Sequence, residues 1–417
     1  MKTAVLFLLL LCPLLALAQS RQLKKASKLF RAQQYTEAAR HYEAAPEISD
    51  NRSARAKLAY CYLQNNRTER AESLYAEIID QPRLRAETFF HYAETLRANG
   101  KYAEAKQFYE HYQELEPADE RVPLALNALR EIEDIQPLFA AAEVTEFSYN
   151  TDADDSTPIL VGDRLYFSSD RDPGTKMLKQ KSGWTGRDFL RIYVCERREG
   201  GGFTEPNEIG KLNELNKNTG NPTLTKSGTR IYFTKNANRT SKRGTLNMQL
   251  FTAVRDDENQ GWRDVELLPF CSPEYNFMHP AVSPDGQTLF FTSDKPGSQG
   301  GTDLWWTRRK RDGTWGRTKN LGSTVNTAAH EGYPYFAANG KLYFCSKGHP
   351  GYGGFDILRT EWDDRTGSWR QPVNLGQPIN SSRDDVSFYL DPDGKRGLFS
   401  SGRDGDDDDI YLFETED

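Results

Sequence analysis

The sequence predicts two repeat architectures in series, an N-terminal helical solenoid and then a β-propeller of five blades, with six as the alternative. Three observations carry this. Residues 279–326 are about one blade long, running from alternating residues through Pro284-Asp285-Gly286 into Leu289-Phe290-Phe291-Thr292 and a Gly-rich loop before Asp303-Leu304-Trp305-Trp306. Asp-Gly turns between β-branched and aromatic runs mark antiparallel strands joined by tight loops. The same unit recurs, with Pro158, Pro222, Pro280, Pro334 and Phe388 standing 64, 58, 54 and 54 residues apart. Ala38, Ala71 and Ala105 stand 33 and 34 residues apart in a segment with no Gly before Gly100, a period that belongs to helix-turn-helix repeats.

Residues 1–18 stand apart. Lys2 is followed by the apolar run AVLFLLLLCPLLALA, and Ala16-Leu17-Ala18 provides small residues for cleavage before Gln19. This reads as a secretory signal peptide, so the chain is expected in an exported, periplasmic setting. Leu11 before Cys12 is too large for lipoprotein processing, which makes lipidation at Cys12 the alternative. No other segment approaches the roughly 18 apolar residues of a membrane span. A net charge of -6 gives no reason to expect nucleic acid. Cys61, Cys195, Cys271 and Cys345 lack CxxC spacing and sit among aromatic or β-branched residues, so buried thiols are expected.

Residues 19–140 form the helical part. In its third copy Phe89, Tyr92, Ala93, Leu96, Tyr102, Ala105, Tyr109 and Pro117 alternate large and small at helical spacing; Leu58, Ala59, Tyr62, Ala71 and Tyr75 do so in the second. These units resemble tetratricopeptide repeats. Small residues let paired helices approach, and residues 118–135 supply a polar capping helix. The resemblance implies peptide or protein binding in a groove lined by the first helix of each pair. On that mapping Phe30, Tyr60, Phe90 and Arg97 face the groove, with Phe90 as an exposed anchor.

Residues 141–417 form the propeller. The last repeat stops after Ile410-Tyr411-Leu412-Phe413, one strand short, and an unpaired edge is a liability. Residues 143–147 alternate like a strand without a partner and are expected to close the ring against 409–413. The blade signature P-x-x-S-P-D-G, at Pro280 to Gly286, resembles the WD40-like units of TolB. The combination of signal peptide, helical repeats and propeller resembles periplasmic Bacteroidota proteins. Among these is an OmpA-family component of the type IX secretion and gliding machinery. This implies a role near the outer membrane with envelope or secretion-system proteins as partners. Peptidoglycan binding is not an expectation, because an OmpA-like counterpart is lacking here.

Repetition separates structure from chemistry. Asp303, Asp356 and Asp409 occupy one position in successive blades, where a carboxylate can accept backbone N–H bonds in the Gly-rich turn. The acidic run 403–409, RDGDDDD, reads as a solvated loop rather than a calcium site. The six histidines are scattered, and G-x-S-x-G, P-loop and dinucleotide motifs are absent. No cofactor, metal or catalytic residue is therefore expected, and a non-enzymatic scaffold is the leading reading. An exported propeller hydrolase of peptide or glycan is the alternative. Two insertions after second strands are basic: Lys176, Lys179, Lys181 and Arg187 in blade one, Arg239, Lys242 and Arg243 in blade two. They are expected to form one patch on the propeller face that orients a charged protein partner.

Overall fold

The structure, a computed structural model, describes residues 21–172, 174, 180–242 and 244–415. The signal-peptide expectation, Cys12, Lys176, Lys179 and Arg243 lie outside these residues. The chain divides into two compact units. One holds the described residues up to 118 together with Lys181–Arg187, and the other holds Asp119–Gln180 and Asp188 onward.

In the first unit three helix pairs follow one another: α1 (21–31) with α2 (Tyr35–Glu43), α3 (Arg52–Leu63) with α4 (Thr68–Ala76), and α5 (Ala86–Ala98) with α6 (Tyr102–Leu115). The turn inside each pair uses a left-handed residue, Gln33, Asn66 and Gly100 with φ of 57°, 55° and 71°. This is the usual way to satisfy the last carbonyls of a helix. Only the third turn uses the residue that adopts it without strain. Ala38, Ala59, Ala71, Ala93 and Ala105 have no exposed surface, so the helices close onto them as the spacing predicts. Tyr42, Tyr75 and Tyr109 fill the remaining volume and are buried. Helix α7 (Arg121–Glu131) belongs to the second compact unit, whereas the sequence boundary at 140 assigns it to the helical repeats.

The second unit is a five-bladed propeller. Blade one comprises β2 (Asp155–Val161), β3 (Arg164–Ser169), β4 (Arg191–Glu196) and β5 (Asn207–Glu208); blade two comprises β6 (Thr219–Leu224), β7 (Arg230–Asn236), β8 (Met248–Val254) and β9 (Arg263–Leu267). Blade three comprises β10 (Phe277–Val282), β11 (Thr288–Ser293), β12 (Asp303–Arg308) and β13 (Lys319–Asn320). Blade four comprises β14 (Glu331–Phe336), β15 (Lys341–Ser346) and β16 (Asp356–Asp363), with β17 (Ser368–Trp369) and β18 (Val373–Asn374) both on β16. Blade five orders as β1-β21-β20-β19, using β1 (Ala142–Glu146), β19 (Asp385–Leu390), β20 (Arg396–Ser401) and β21 (Asp409–Thr415). The closing strand is thus the one the sequence predicts, in the register Glu143↔Glu414 to Glu146↔Tyr411.

Alternating strand residues bury both faces of a blade, so the apolar side chains collect into five clusters, each shared by adjacent blades. Phe147, Phe167, Leu398 and Ile410 join blades five and one; Tyr232, Phe277, Phe291 and Trp305 join blades two and three. The four described cysteines, Cys61, Cys195, Cys271 and Cys345, carry free thiols, and all but Cys271 are buried.

Candidate functional site

Three places held sequence-predicted residues or were singled out by geometry: the helical array, the propeller axis and the basic insertions.

On the array, one side chain from the first helix of each pair meets its neighbour. The Phe30 and Tyr60 rings lie 5.6 Å apart, and Tyr60 lies 4.4 Å from His91. All three are half-buried. The structure brings Phe30 and Tyr60 together, and the third member of the strip is His91, 3.4 Å from Glu87 one turn earlier. Phe90 is a correction. It is 8% exposed and packs on α6 through Tyr109 and Tyr112, with ring centroids 5.8 and 5.3 Å away. Arg97 is a second correction, at 2% exposure, inside the array with Tyr109, whose hydroxyl donates to Glu94. The signal was in the sequence: Phe90, Ala93 and Arg97 are spaced at i, i+3 and i+7, one helical stripe. Ala93 already marked that stripe as the close-packed side.

The strip continues onto residues far away in sequence. Tyr35 meets Tyr60 at 5.7 Å and Trp184 at 4.8 Å. The Trp184 carbonyl accepts from the Thr36 N–H at 3.0 Å and the Thr36 hydroxyl at 2.8 Å. Trp184 Nε1 donates to the Gln64 carbonyl at 3.3 Å. A Cβ on Gly183 would come within 2.7 Å of Gln34, and one on Gly186 within 2.5 Å of Thr36. Residues 181–187 are thus built into the helical unit, and the sequence reading missed this because only charge was read from the insertion.

That placement divides the described residues of the two basic insertions between the units. Lys181 and Arg187 belong to the helical unit, whereas Arg239 and Lys242 are exposed residues of the propeller unit. The described insertion residues therefore do not form one set on the propeller.

At the propeller axis each innermost strand carries a bulge with a left-handed residue: Thr157, Asn221, His279, Tyr333 and Ser387, with φ of 49° to 55°. Such backbone costs about 1–3 kcal/mol per residue. A neighbouring blade offsets it. The Thr157 N–H donates to Ser400 Oγ at 3.1 Å, Asn221 to Ser168 Oγ at 2.8 Å and His279 to Thr234 Oγ1 at 3.0 Å. The Ser387 backbone bonds to the Cys345 thiol. Blade four departs from the ring: Tyr333 N–H donates to His279 Nδ1, and the buried Thr292 Oγ1 is left without a hydrogen-bond partner.

The carboxylates beside the axis are engaged within their own blades. Asp155 accepts from Thr151 N and Oγ1 at 2.8 and 2.9 Å and pairs with Arg171 at 2.5 Å. Asp385 is held by Ser381, Ser401 and Arg403, the last at 3.1 Å. Glu331 accepts from Thr327 N and Oγ1 and Ser346 Oγ at 2.7–2.9 Å, and burial pushes its carboxyl up to about 7. The hydroxyl four residues before each acid, Thr151, Thr327 and Ser381, is a repeat the sequence reading missed. The axial cavity measures about 40 Å³, room for roughly three waters.

Asp303 and Asp356 do accept turn N–H groups, from Gln299 and Gly300 and from Tyr352 and Gly353, at 2.9–3.2 Å. Asp409 does not share that role. Its Oδ1 is buried without a hydrogen bond, and burial beside Asp155 and Glu146 raises its carboxyl to about 6. The acidic loop around it is partly drawn in, Asp404 accepting from the Tyr411 hydroxyl at 2.6 Å. Among the described residues no three His, Cys, Asp or Glu side chains are placed to hold a metal ion, and no helix is long and apolar enough to cross a membrane.

Comparison with known proteins matches residues 29–87 to the tetratricopeptide repeat family. No curated protein matches the chain. Among solved structures, a putative TolB from Agrobacterium tumefaciens is 13% identical, covering 62% of this chain and 76% of its own at a TM-score of 0.38. A GH43 β-xylosidase/α-arabinofuranosidase from a compost microbial metagenome is 12% identical, with 66% and 94% covered and a TM-score of 0.42. The first tetratricopeptide domain of Spaghetti (RPAP3), bound to an HSP90 peptide, is 22% identical, with 28% and 93% covered and a TM-score of 0.26.

Proposed function

We propose that the chain is a non-enzymatic interaction scaffold of the bacterial cell envelope, exported to the periplasm and working near the outer membrane with a secretion-type assembly such as type IX. The observation that carries the scaffold reading is the strip Phe30, Tyr60 and His91, three half-buried rings presented by successive helix pairs. Aromatic side chains offer large contact area at small entropic cost, which is why they dominate binding hot spots. The apolar run before Gln19 supports the location.

The propeller axis supports the same reading. A cavity of about 40 Å³ has no space for a sugar ring or peptide bond with its attacking water, and its neighbouring carboxylates are committed to Thr, Ser and Arg partners. The decisive experiment isolates envelope partners with the intact chain and with Tyr60→Ala. A partner retained by the first and lost by the second, with the helical unit of the second still folded, is the expected result. Turnover of a glycan or peptide library with no partner retained would replace the scaffold by the hydrolase.

A further inference from the structure

We propose that a cavity between blades five and one binds a compact zwitterion with an apolar side chain, an apolar amino acid or a dipeptide. The cavity measures about 360 Å³ and is lined by Arg197, Arg396, Phe203, Leu398, Glu143 and Glu414 among others. That is the small end of the range for small-molecule sites.

The repeat shows what is unusual here. Blades one, two and three each lay an arginine from the end of the third strand over an aromatic ring: Arg197 over Phe203 at 6.0 Å, Arg255 over Trp262 at 4.4 Å and Arg309 over Trp315 at 5.6 Å. In blade two each guanidinium nitrogen donates, to the carbonyls of Gly228 and Glu258 and to the Tyr166 hydroxyl at 2.7, 3.0 and 2.9 Å. Arg197 makes no side-chain hydrogen bond among the described residues. Its ionic partner is Asp391 at 3.6 Å, beyond hydrogen-bonding distance, and Asp391 meets Arg396 at 3.8 Å. Arg197 therefore reaches the cavity with no hydrogen bond from its guanidinium to a described residue and only the long ion pair to Asp391, and a planar guanidinium suits a carboxylate.

The opposite wall points to an ammonium. Glu143 of β1 and Glu414 of β21 stand directly opposite in the strand register, and like charges so placed destabilise a strand pair. Arg396 faces Glu414 from the other side, across β20 and β21. Glu143 has no cationic partner among the described residues. Phe203, Leu398 and the half-buried Leu412 line the same cavity and supply its apolar surface.

Calorimetric titration of the full chain tests this with four probes: leucine, Leu-Leu, leucinamide and N-acetylleucine. Leucine or Leu-Leu should bind, the tighter one identifying the source. Loss of the carboxylate in leucinamide or of the ammonium in N-acetylleucine should weaken binding roughly tenfold or more. Arg197→Gln and Glu143→Gln should each do the same. Phe203→Trp, which restores the residue type of blades two and three, should fold normally and bind none of the probes. No binding of any probe at about 10 mM, or binding unchanged in both Phe203→Trp and Arg197→Gln, overturns the proposal. A negative result here leaves the partner-isolation result on Tyr60 untouched.

Discussion

Tyr333 donates its backbone N–H to Nδ1 of His279 at 3.3 Å, and the two rings stack with centroids 3.7 Å apart and planes within 15°. Everywhere else in the ring of axial bulges the acceptor is a hydroxyl or thiol. Accepting at Nδ1 requires a neutral imidazole with its proton on Nε2. Burial reinforces this by pushing His279 down to about 3.

The sign of the pH dependence follows. A histidine lowered in the fold from 6.5 to about 3 contributes stability that is complete above its unfolded value and is lost as pH falls below it, about 2 kcal/mol between pH 7 and pH 5. His279→Gln keeps an acceptor for Tyr333 and removes the titration. Urea unfolding of the propeller at both pH values should show this contribution gone.

Glu331 runs the other way. Its carboxyl rises from 4.5 to about 7 in the fold, so its contribution is complete below the unfolded value and is lost as pH climbs through 7, again about 2 kcal/mol between pH 5 and pH 7. The two groups oppose each other over this window. Measured against the wild-type propeller, in which other shifted groups such as Asp409 also titrate, the slope of stability between pH 5 and pH 7 should become more positive in Glu331→Gln and more negative in His279→Gln. Parallel curves for the three proteins would contradict both assignments.

Truncation should locate the edge of the propeller unit. Removing β1 strips the partner from β21 and exposes a blade edge. A cut after residue 140 should destabilise as well, contrary to what the strand pattern alone suggests. The Leu138 N–H donates to Leu375 at 2.9 Å, and the Phe139 ring lies 5.0 Å from Phe413 and 6.0 Å from Phe388. Melting of chains starting at residues 136, 141 and 148 should fall at each step.

Phe90 and Tyr60 should separate stability from binding. Phe90→Ala removes a buried ring from between α5 and α6 and should cost the helical unit about 3–5 kcal/mol. Tyr60→Ala should leave unfolding much closer to wild type and weaken partner capture by about 1–3 kcal/mol. Circular dichroism at the helical minimum and partner titration read the two effects.

The helical pairs, a propeller of five blades with six left open, and the closing strand were legible in local periods: 33 or 34 residues for Ala38, Ala71 and Ala105, and 54 to 64 for the blade signatures. Burial of those alanines and the pairing of 142–146 with β21 need only that apolar faces be covered and edges be closed. Tertiary structure decided what local periods do not encode. Whether Phe90 or His91 faced the groove depended on a rotation of about 100° per residue, settled by Tyr109 and Tyr112 on another helix. The destination of Trp184 depended on Tyr35, Thr36 and Gln64, more than a hundred residues away, together with two glycines that let the loop backbone approach the Gln34 and Thr36 side chains. The axial ring likewise joins each bulge to a side chain of the neighbouring blade, and the bond from Thr157 to Ser400 forms only when blade five meets blade one.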